Sequence, residues 1–146
     1  MTCKEIMTAN PTTCTPTTHA QAVALIMSEE DVGVVPVIDE KSKRLVGLVT
    51  DRDLCLEVVA EGKSPQEVRV STVMSRPLAT CLAEDDLQRC LDLMKEHQLR
   101  RIPIVDEKGH CVGIISQRDI ALHMTQHQKV HETLREISRS HGAEAA

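Results

Sequence analysis

Two four-residue segments concentrate the groups best able to handle a polar ligand: Thr50-Asp51-Arg52-Asp53 and Ser116-Gln117-Arg118-Asp119. In each, a hydroxyl is followed three residues later by a carboxylate, with an arginine between them. An ionised carboxylate offers two acceptor oxygens, which match the paired donors of a vicinal diol. If a helix starts at Thr50 or Ser116, the hydroxyl and the free backbone N–H groups of its first turn face an incoming phosphate. Arg52 and Arg118 would add charge. The same spacing is that of a capping box, in which side chains satisfy the helix's own end groups. Both readings stay open at this level.

The other reactive side chains are less organised. Six of the seven histidines fall at or after His97, and His123, His127 and His131 recur every four residues. On a helix that spacing stacks them along one side. Neutral imidazoles so placed can chelate zinc or nickel, but no Glu or Cys on a neighbouring turn completes a tetrahedral set. A packed or solvated helix face, or a pH-sensing subunit contact, also accounts for them, and no metal ligand is assigned. The six cysteines include no Cys-x-x-Cys pair. Cys14 and Cys81 in short apolar segments, with Cys90 and Cys111 on apolar faces, read as buried free thiols acting as small hydrophobes. Cys3 reads as the exposed, reactive one. No Ser-His-Asp or Cys-His arrangement at diagnostic spacing and no Gly-x-x-x-x-Gly-Lys loop occurs. An enzyme is not expected.

Composition narrows the partners. A chain of 146 residues, 41% hydrophobic and 27% charged, fits one compact domain or two small fused ones. The net charge of −5 and the runs Glu29-Glu30-Asp31 and Glu84-Asp85-Asp86 argue against nucleic acid. With no Phe, Tyr or Trp, any bound base must rest between aliphatic side chains rather than on an aromatic platform. No apolar run is long enough to span a bilayer, and the first residues lack a signal-peptide profile. No membrane association and a cytoplasmic location are expected.

The elements that must position these residues occur twice. Met7 and Met74, Cys14 and Cys81, Met27 and Met94, Pro36 and Pro103, and Asp39 and Asp106 are all offset by 67. Past the turn at Lys41-Ser42-Lys43-Arg44 the offset falls to 66. Ala20, Val23, Ala24 and Met27 follow helical spacing, as do Leu87, Cys90, Leu91 and Met94. Thr17 or Thr18 is expected to cap the first helix, and Glu84-Asp85-Asp86 to put acid in the first turn of the second. Two β-branched runs follow in each copy, Val34 to Asp39 with Leu45 to Val49, and Ile102 to Asp106 with Cys111 to Ile115. Gly47 and Gly113, inside the second runs, mark close approach by another backbone or a ligand. A helix then begins at Thr50 or Ser116. Gly62-Lys63-Ser64-Pro65-Gln66-Glu67 links the copies, with Ser64, Pro65 and Glu67 placed to start a short helix. Ile120, Met124, His127, Val130, Leu134 and Ile137 form the apolar seam of a tail helix. The predicted class is α/β, in the α+β sense: strand-helix-strand-strand-helix performed twice, with a C-terminal helical extension.

This arrangement resembles the cystathionine β-synthase (CBS) domain pair, or Bateman module, over roughly residues 3–125. It carries the early Met7 and Met74, the hydrophobic-Pro-hydrophobic strands at Pro36 and Pro103, and the segments Gly47-Leu48-Val49-Thr50-Asp51-Arg52-Asp53 and Gly113-Ile114-Ile115-Ser116-Gln117-Arg118-Asp119. The extension after Asp119 is similar to bacterial stand-alone CBS pairs of the hypoxic-response type. The resemblance implies a first CBS domain over 1–62, a linker over 63–72, a second CBS domain over 73–126 and a helical tail over 127–146.

It also implies regulatory, signalling binding of an adenine nucleotide of the AMP, ADP or ATP class, or a related adenosyl compound, in the cleft between repeats. Mg would accompany ATP. No covalent cofactor is expected. Carried across residue by residue, Thr50, Arg52 and Asp53 would work with Ala79, Leu99, Arg100, Arg101 and Pro103. Ser116, Arg118 and Asp119 would work with Thr12, Val32, Gly33, Val34 and Pro36. Arg100 and Arg101 suit the first site to a charged nucleotide. Val32-Gly33-Val34 brings no basic side chain, so the second suits a less charged adenosyl compound or none. A homodimer acting as a stress or energy-state sensor is expected, because each copy has two amphipathic helices that a lone pair would not cover. The rival expectation is a structural or protein-interaction stress protein with a vestigial cleft, its tail helix docking a partner and its C-terminal histidines holding metal.

Overall fold

The apolar runs become strands and the periodic segments helices, in the predicted order except for an additional short helix, Cys3–Ile6, ahead of the first copy. The computed structural model describes residues 1–123 and 128–140. The elements are α1 (Cys3–Ile6), β1 (Thr8–Ala9), α2 (Ala20–Glu30), β2 (Val34–Ile38), β3 (Leu45–Thr50), α3 (Asp51–Leu54), β4 (Cys81–Leu82), α4 (Leu87–His97), β5 (Arg101–Val105), β6 (Cys111–Ser116), α5 (Gln117–His123) and α6 (Gln128–Ser140). A π-helical turn, Cys55–Val59, continues α3, and a 3₁₀ turn spans Val70–Thr72. The class is α+β with two repeats.

The chain packs as two compact units, and these are not the linear repeats. One comprises residues 11–77 with 108–111; the other comprises 1–10, 78–107 and 112–146. In the first unit β2 and β3 pair antiparallel, Val35 opposite Val49. Cys14 bridges Val37 in parallel and Ser75 bridges Leu48 antiparallel at the two edges. The second unit repeats this in the sheet order β1-β6-β5-β4. Cys81 pairs in parallel with Ile104, and Thr8 antiparallel with Ile114. The lead segment of each copy thus serves the other copy's sheet. Residues 2–9 complete the unit of the second copy, and residues 69–75 complete that of the first.

Methionine explains the glycines inside β3 and β6. A Cβ on Gly47 would come within 2.7 Å of Met74 Sδ and 3.2 Å of the Ser75 carbonyl oxygen. At Gly113 it would collide with Met7 Sδ and approach the Thr8 oxygen at 3.1 Å. The close approach predicted at both glycines is therefore made by the borrowed lead segment.

Each unit has its own core. Val23, Val35, Val37, Val49 and Val70 are fully buried in the first, and Cys90, Met94, Ile102, Ile104, Ile115, Ile120 and Ile137 in the second. Burial of each such side chain contributes roughly 1.5–3 kcal/mol. The tail helix α6 packs on α4 and α5 of its own unit. Ile137 enters the core there, Leu134 packs against it, and Lys95 pairs with Glu136 at 3.1 Å. Part of the predicted seam is thus spent within the chain. Met124, His127 and the Val130 side chain lie outside the described residues.

Several local expectations are corrected. The N-cap of α2 is His19, without a side-chain cap, and not Thr17 or Thr18. Those threonines belong instead to a turn in which the Thr15 N–H donates to Thr18 Oγ1 at 3.1 Å. Acid does not enter the first turn of α4; Asp86 caps it by accepting from Gln88 N–H at 2.8 Å. Ala24 is exposed. Residues 65–67 form a turn only, closed by Glu67 N–H on the Ser64 carbonyl at 3.0 Å. Cys3 is fully buried, not exposed, because the lead segment is bound into the second unit, and the exposed thiol is Cys55.

Candidate functional site

Thr50 ends β3 in extended conformation and caps α3. Its N–H donates to Asp53 Oδ2 at 2.8 Å, and Asp53 N–H donates back to Thr50 Oγ1 at 3.1 Å. The sequence's capping-box reading is realised in full. Asp51 N–H donates to the Gly33 carbonyl at 3.0 Å, and Arg52 N–H to Asp51 Oδ1 at 2.9 Å. The first-turn amides are therefore occupied, which corrects the expectation that they stand free for a phosphate. What remains is side-chain capacity. Among the described residues, nothing accepts the Thr50 hydroxyl proton and nothing donates to Asp53 Oδ1. Both residues are half-buried.

The corresponding segment of the second unit has less to offer. Ser116 N–H and Ser116 Oγ–H both donate to Asp119 Oδ2, at 2.8 and 2.9 Å. Asp119 N–H donates to Ser116 Oγ at 3.2 Å, and Thr8 Oγ1 donates to Asp119 Oδ1 at 3.2 Å. Gln117 N–H donates to the Arg100 carbonyl at 2.9 Å, as Asp51 does to Gly33. Here both carboxylate oxygens and the hydroxyl proton already have partners.

The structure places Thr12, Val32, Gly33, Val34, Pro36, Thr50, Arg52 and Asp53 in one unit, and Ala79, Leu99, Arg100, Arg101, Pro103, Ser116, Arg118 and Asp119 in the other. In the first, Gly33 lies against Asp51, where a Cβ would meet Oδ2 at 3.1 Å. Thr12 Oγ1 donates to Glu30 Oε1 at 2.6 Å, Val32 is exposed, Val34 opens β2 and Pro36 is buried at its centre. In the second, Arg101 opens β5 and Arg100 precedes it, both half-buried, while Pro103 is buried. Ala79 and Leu99 pack against the core. Arg52 and Arg118 are exposed. Of the histidine series, His123 is the exposed last residue of α5; His127 and the His131 side chain fall outside the described residues.

One constellation escaped the sequence reading. Cys3, Cys81 and Cys90, all buried, bring their Sγ atoms within 4.8 Å of one another. Cys81 and Cys90 were legible as inward-facing, but nothing local placed Cys3 beside them. Cys14, by contrast, is the one buried cysteine of the other core among the described residues, and burial pushes its thiol up to about 11.

Comparison with known proteins bears on both repeats. The CBS domain family matches residues 3–60 and 70–125. The CBS domain-containing protein YhcV of Bacillus subtilis is 35% identical over 135 residues, 92% of this chain and 94% of that protein. Hypoxic response protein 1 of Mycobacterium tuberculosis is 32% identical over 126 residues, 86% of this chain and 87% of that one. A crystal structure of Hypoxic Response Protein I with two coordinated zinc ions superposes with a TM-score of 0.74 at 32% identity, covering 85% of this chain and 99% of that one. The CBS domain protein PAE2072 from Pyrobaculum aerophilum, complexed with AMP, shares the fold with a TM-score of 0.76 at 23% identity, covering 92% and 98%.

Proposed function

The chain belongs to the CBS-domain family and carries the domain twice, and we propose from that premise that it is a regulatory module binding an adenine nucleotide or related adenosyl ligand. The observation that carries the proposal is the unspent capacity at Thr50 and Asp53. A hydroxyl proton and a carboxylate oxygen stand without partners among the described residues, on a backbone already fixed by its own cap. A ribose diol supplies donors for that oxygen, and a phosphate accepts from that hydroxyl. Asp119 and Ser116 are self-satisfied, so the first assignment is the one to occupy.

The remaining residues of the first assignment, Ala79, Leu99, Arg100, Arg101 and Pro103, belong to the same proposal as base wall and phosphate partners, with Mg when the ligand is ATP. The role is sensing rather than catalysis. It would act through a homodimer, for which the exposed Leu56 and Leu122 speak. They hold equivalent slots in the two copies and are 45% and 66% exposed. No described helix is long and apolar enough to cross a membrane.

Calorimetry with AMP, ADP, ATP with and without Mg, NADH and S-adenosylmethionine tests the reading. One of these is expected to bind below millimolar concentration, and Asp53→Asn to weaken it by about tenfold or more, the worth of one lost charge-assisted hydrogen bond. Asp119→Asn should leave it within a factor of about two, as for a site that does not touch the ligand. If no ligand binds, or if Asp53→Asn has no effect, the assignment fails and the protein-interaction reading takes its place.

A further inference from the structure

Three thiols of the second unit meet inside its apolar core. Cys3 opens α1, Cys81 lies in β4 and Cys90 lies on α4; their exposures are 0%, 2% and 0%. Beside them, Cys90 Sγ lies 3.9 Å from Sδ of the fully buried Met94.

Packing alone does not call for this sulfur. At the repeat offset of 67, the slots of Cys3, Cys81 and Cys90 hold Val70, Cys14 and Val23 in the other unit. The correspondence is one of structure as well as sequence. Cys14 bridges Val37 in parallel as Cys81 pairs with Ile104. The Val70 carbonyl accepts from Met74 N–H at 2.9 Å, as the Cys3 carbonyl does from Met7 N–H. Val23 and Val70 are both fully buried. The same three positions are thus filled by two valines and a lone thiol in one core and by three converging thiols in the other.

We propose that Cys3, Cys81 and Cys90 form a trigonal thiolate site for copper(I). Soft thiolate and thioether donors select a soft monovalent ion. Zinc, by comparison, closes a structural site with four Cys, His or carboxylate ligands. Among the described residues the donor group holds no histidine or carboxylate, and the adjoining sulfur of Met94 is again soft. Asp85 is near enough to bear on Cys3 and Cys81, but its Oδ2 accepts from Leu82 N–H at 2.8 Å and faces Arg89 Nε at 3.4 Å. A metal–sulfur distance of about 2.3 Å in a planar triad spaces the sulfurs by about 4.0 Å. The triad reaches that spacing by closing less than an ångström.

Cys3, Cys81 and Cys90 would each release a proton to solvent as their bonds to copper form. Copper stays in the +1 state throughout, so no oxidant or reductant enters. The site lies wholly in one unit and is independent of the nucleotide proposal.

The test is anaerobic titration of reduced, full-length protein with copper(I) held by the chromogenic chelator bicinchoninate. One copper per chain should leave the chelator, with a thiolate-to-copper ultraviolet band and X-ray absorption showing three sulfur neighbours at about 2.3 Å. Cys3→Val with Cys90→Val copies the valines of the twin core and should fold. It should lose affinity by more than about 100-fold, the upper end of what outer-sphere changes alone cost, whereas Cys55→Ser should bind as the wild type does. No uptake, uptake that survives the double valine substitution, nitrogen or oxygen in the coordination shell, or zinc displacing copper at equal concentration would each overturn the proposal. Should the double variant not fold, the sulfur count on the wild-type protein decides: three supports the site, and any other number refutes it.

Discussion

Residues 50–53 and 116–119 share a trace, a reciprocal cap and an anchoring carbonyl from the residue before the strand, Gly33 in one unit and Arg100 in the other. They part at the side chains. Thr8 reaches Asp119 Oδ1, but its repeat partner Ser75 makes no corresponding bond to Asp53 among the described residues. Ser116 turns its proton onto Asp119, and Thr50 keeps its own. Beyond the caps, α5 continues as regular α-helix to His123, while α3 gives way after Leu54 to a π turn closed by Ala60 N–H on the Cys55 carbonyl at 2.9 Å. Such turns are frequent at functional sites. Duplication kept the backbone solution and released one copy's polar groups from it. A capping box therefore does not by itself exclude a ligand at the same position: at Asp53 the cap uses one carboxylate oxygen and leaves the other.

That contrast can be strained from several sides. The largest effect should come from the helix that packs on α4 and α5 of the second unit. Ile137→Ala should cost about 2–5 kcal/mol by urea denaturation, because a fully buried isoleucine is removed from the core. A loss under 1 kcal/mol would mean that α6 is no part of that core. Next, Gly47→Ala and Gly113→Ala should each cost about 1–3 kcal/mol through overpacking against Met74 and Met7. Adding Met7→Ala should rescue Gly113→Ala and leave Gly47→Ala unchanged; rescue of both would show that the methionines are not specific to their units. The smallest effect divides the caps. Thr50→Ala and Ser116→Ala should each lose about 0.5–2 kcal/mol, with Ser116 the more costly because its hydroxyl both donates and accepts. The reverse order would break the claim that the second copy is the self-satisfied one.

Much of this was legible in the chain. The 67-residue offset gave the repeats, β-branched runs gave β2, β3, β5 and β6, and the hydroxyl-x-x-carboxylate spacing gave both caps. What escaped was whatever depends on partners distant in sequence. Cys3 read as exposed because its local context is polar; it is buried by Cys81, Cys90 and Leu87. Gly47 and Gly113 announced a close approach without naming Met74 and Met7. Thr8 gave no sign of its bond to Asp119, because no local pattern encodes a contact between residues so far apart. Ser64-Pro65-Gln66-Glu67 had the composition of a helix start but only a turn's length in which to use it. The proposal of Arg100 as a site partner came from family resemblance and not from spacing.

The exchanged lead segments set a timetable for biosynthesis. Cys3 cannot meet Cys90 until the first helix of the second copy is made, and Thr8 cannot find Ile114 until most of that copy is. The opening residues must therefore wait unpaired while residues 11–77 already hold most of what their own sheet needs. Ordering that depends on such distant pairings is slow, and the last strand to be made, β6, is the one that releases the first residues from waiting. A gene cut at the boundary between copies would yield two fragments, each carrying the edge strand that the other requires.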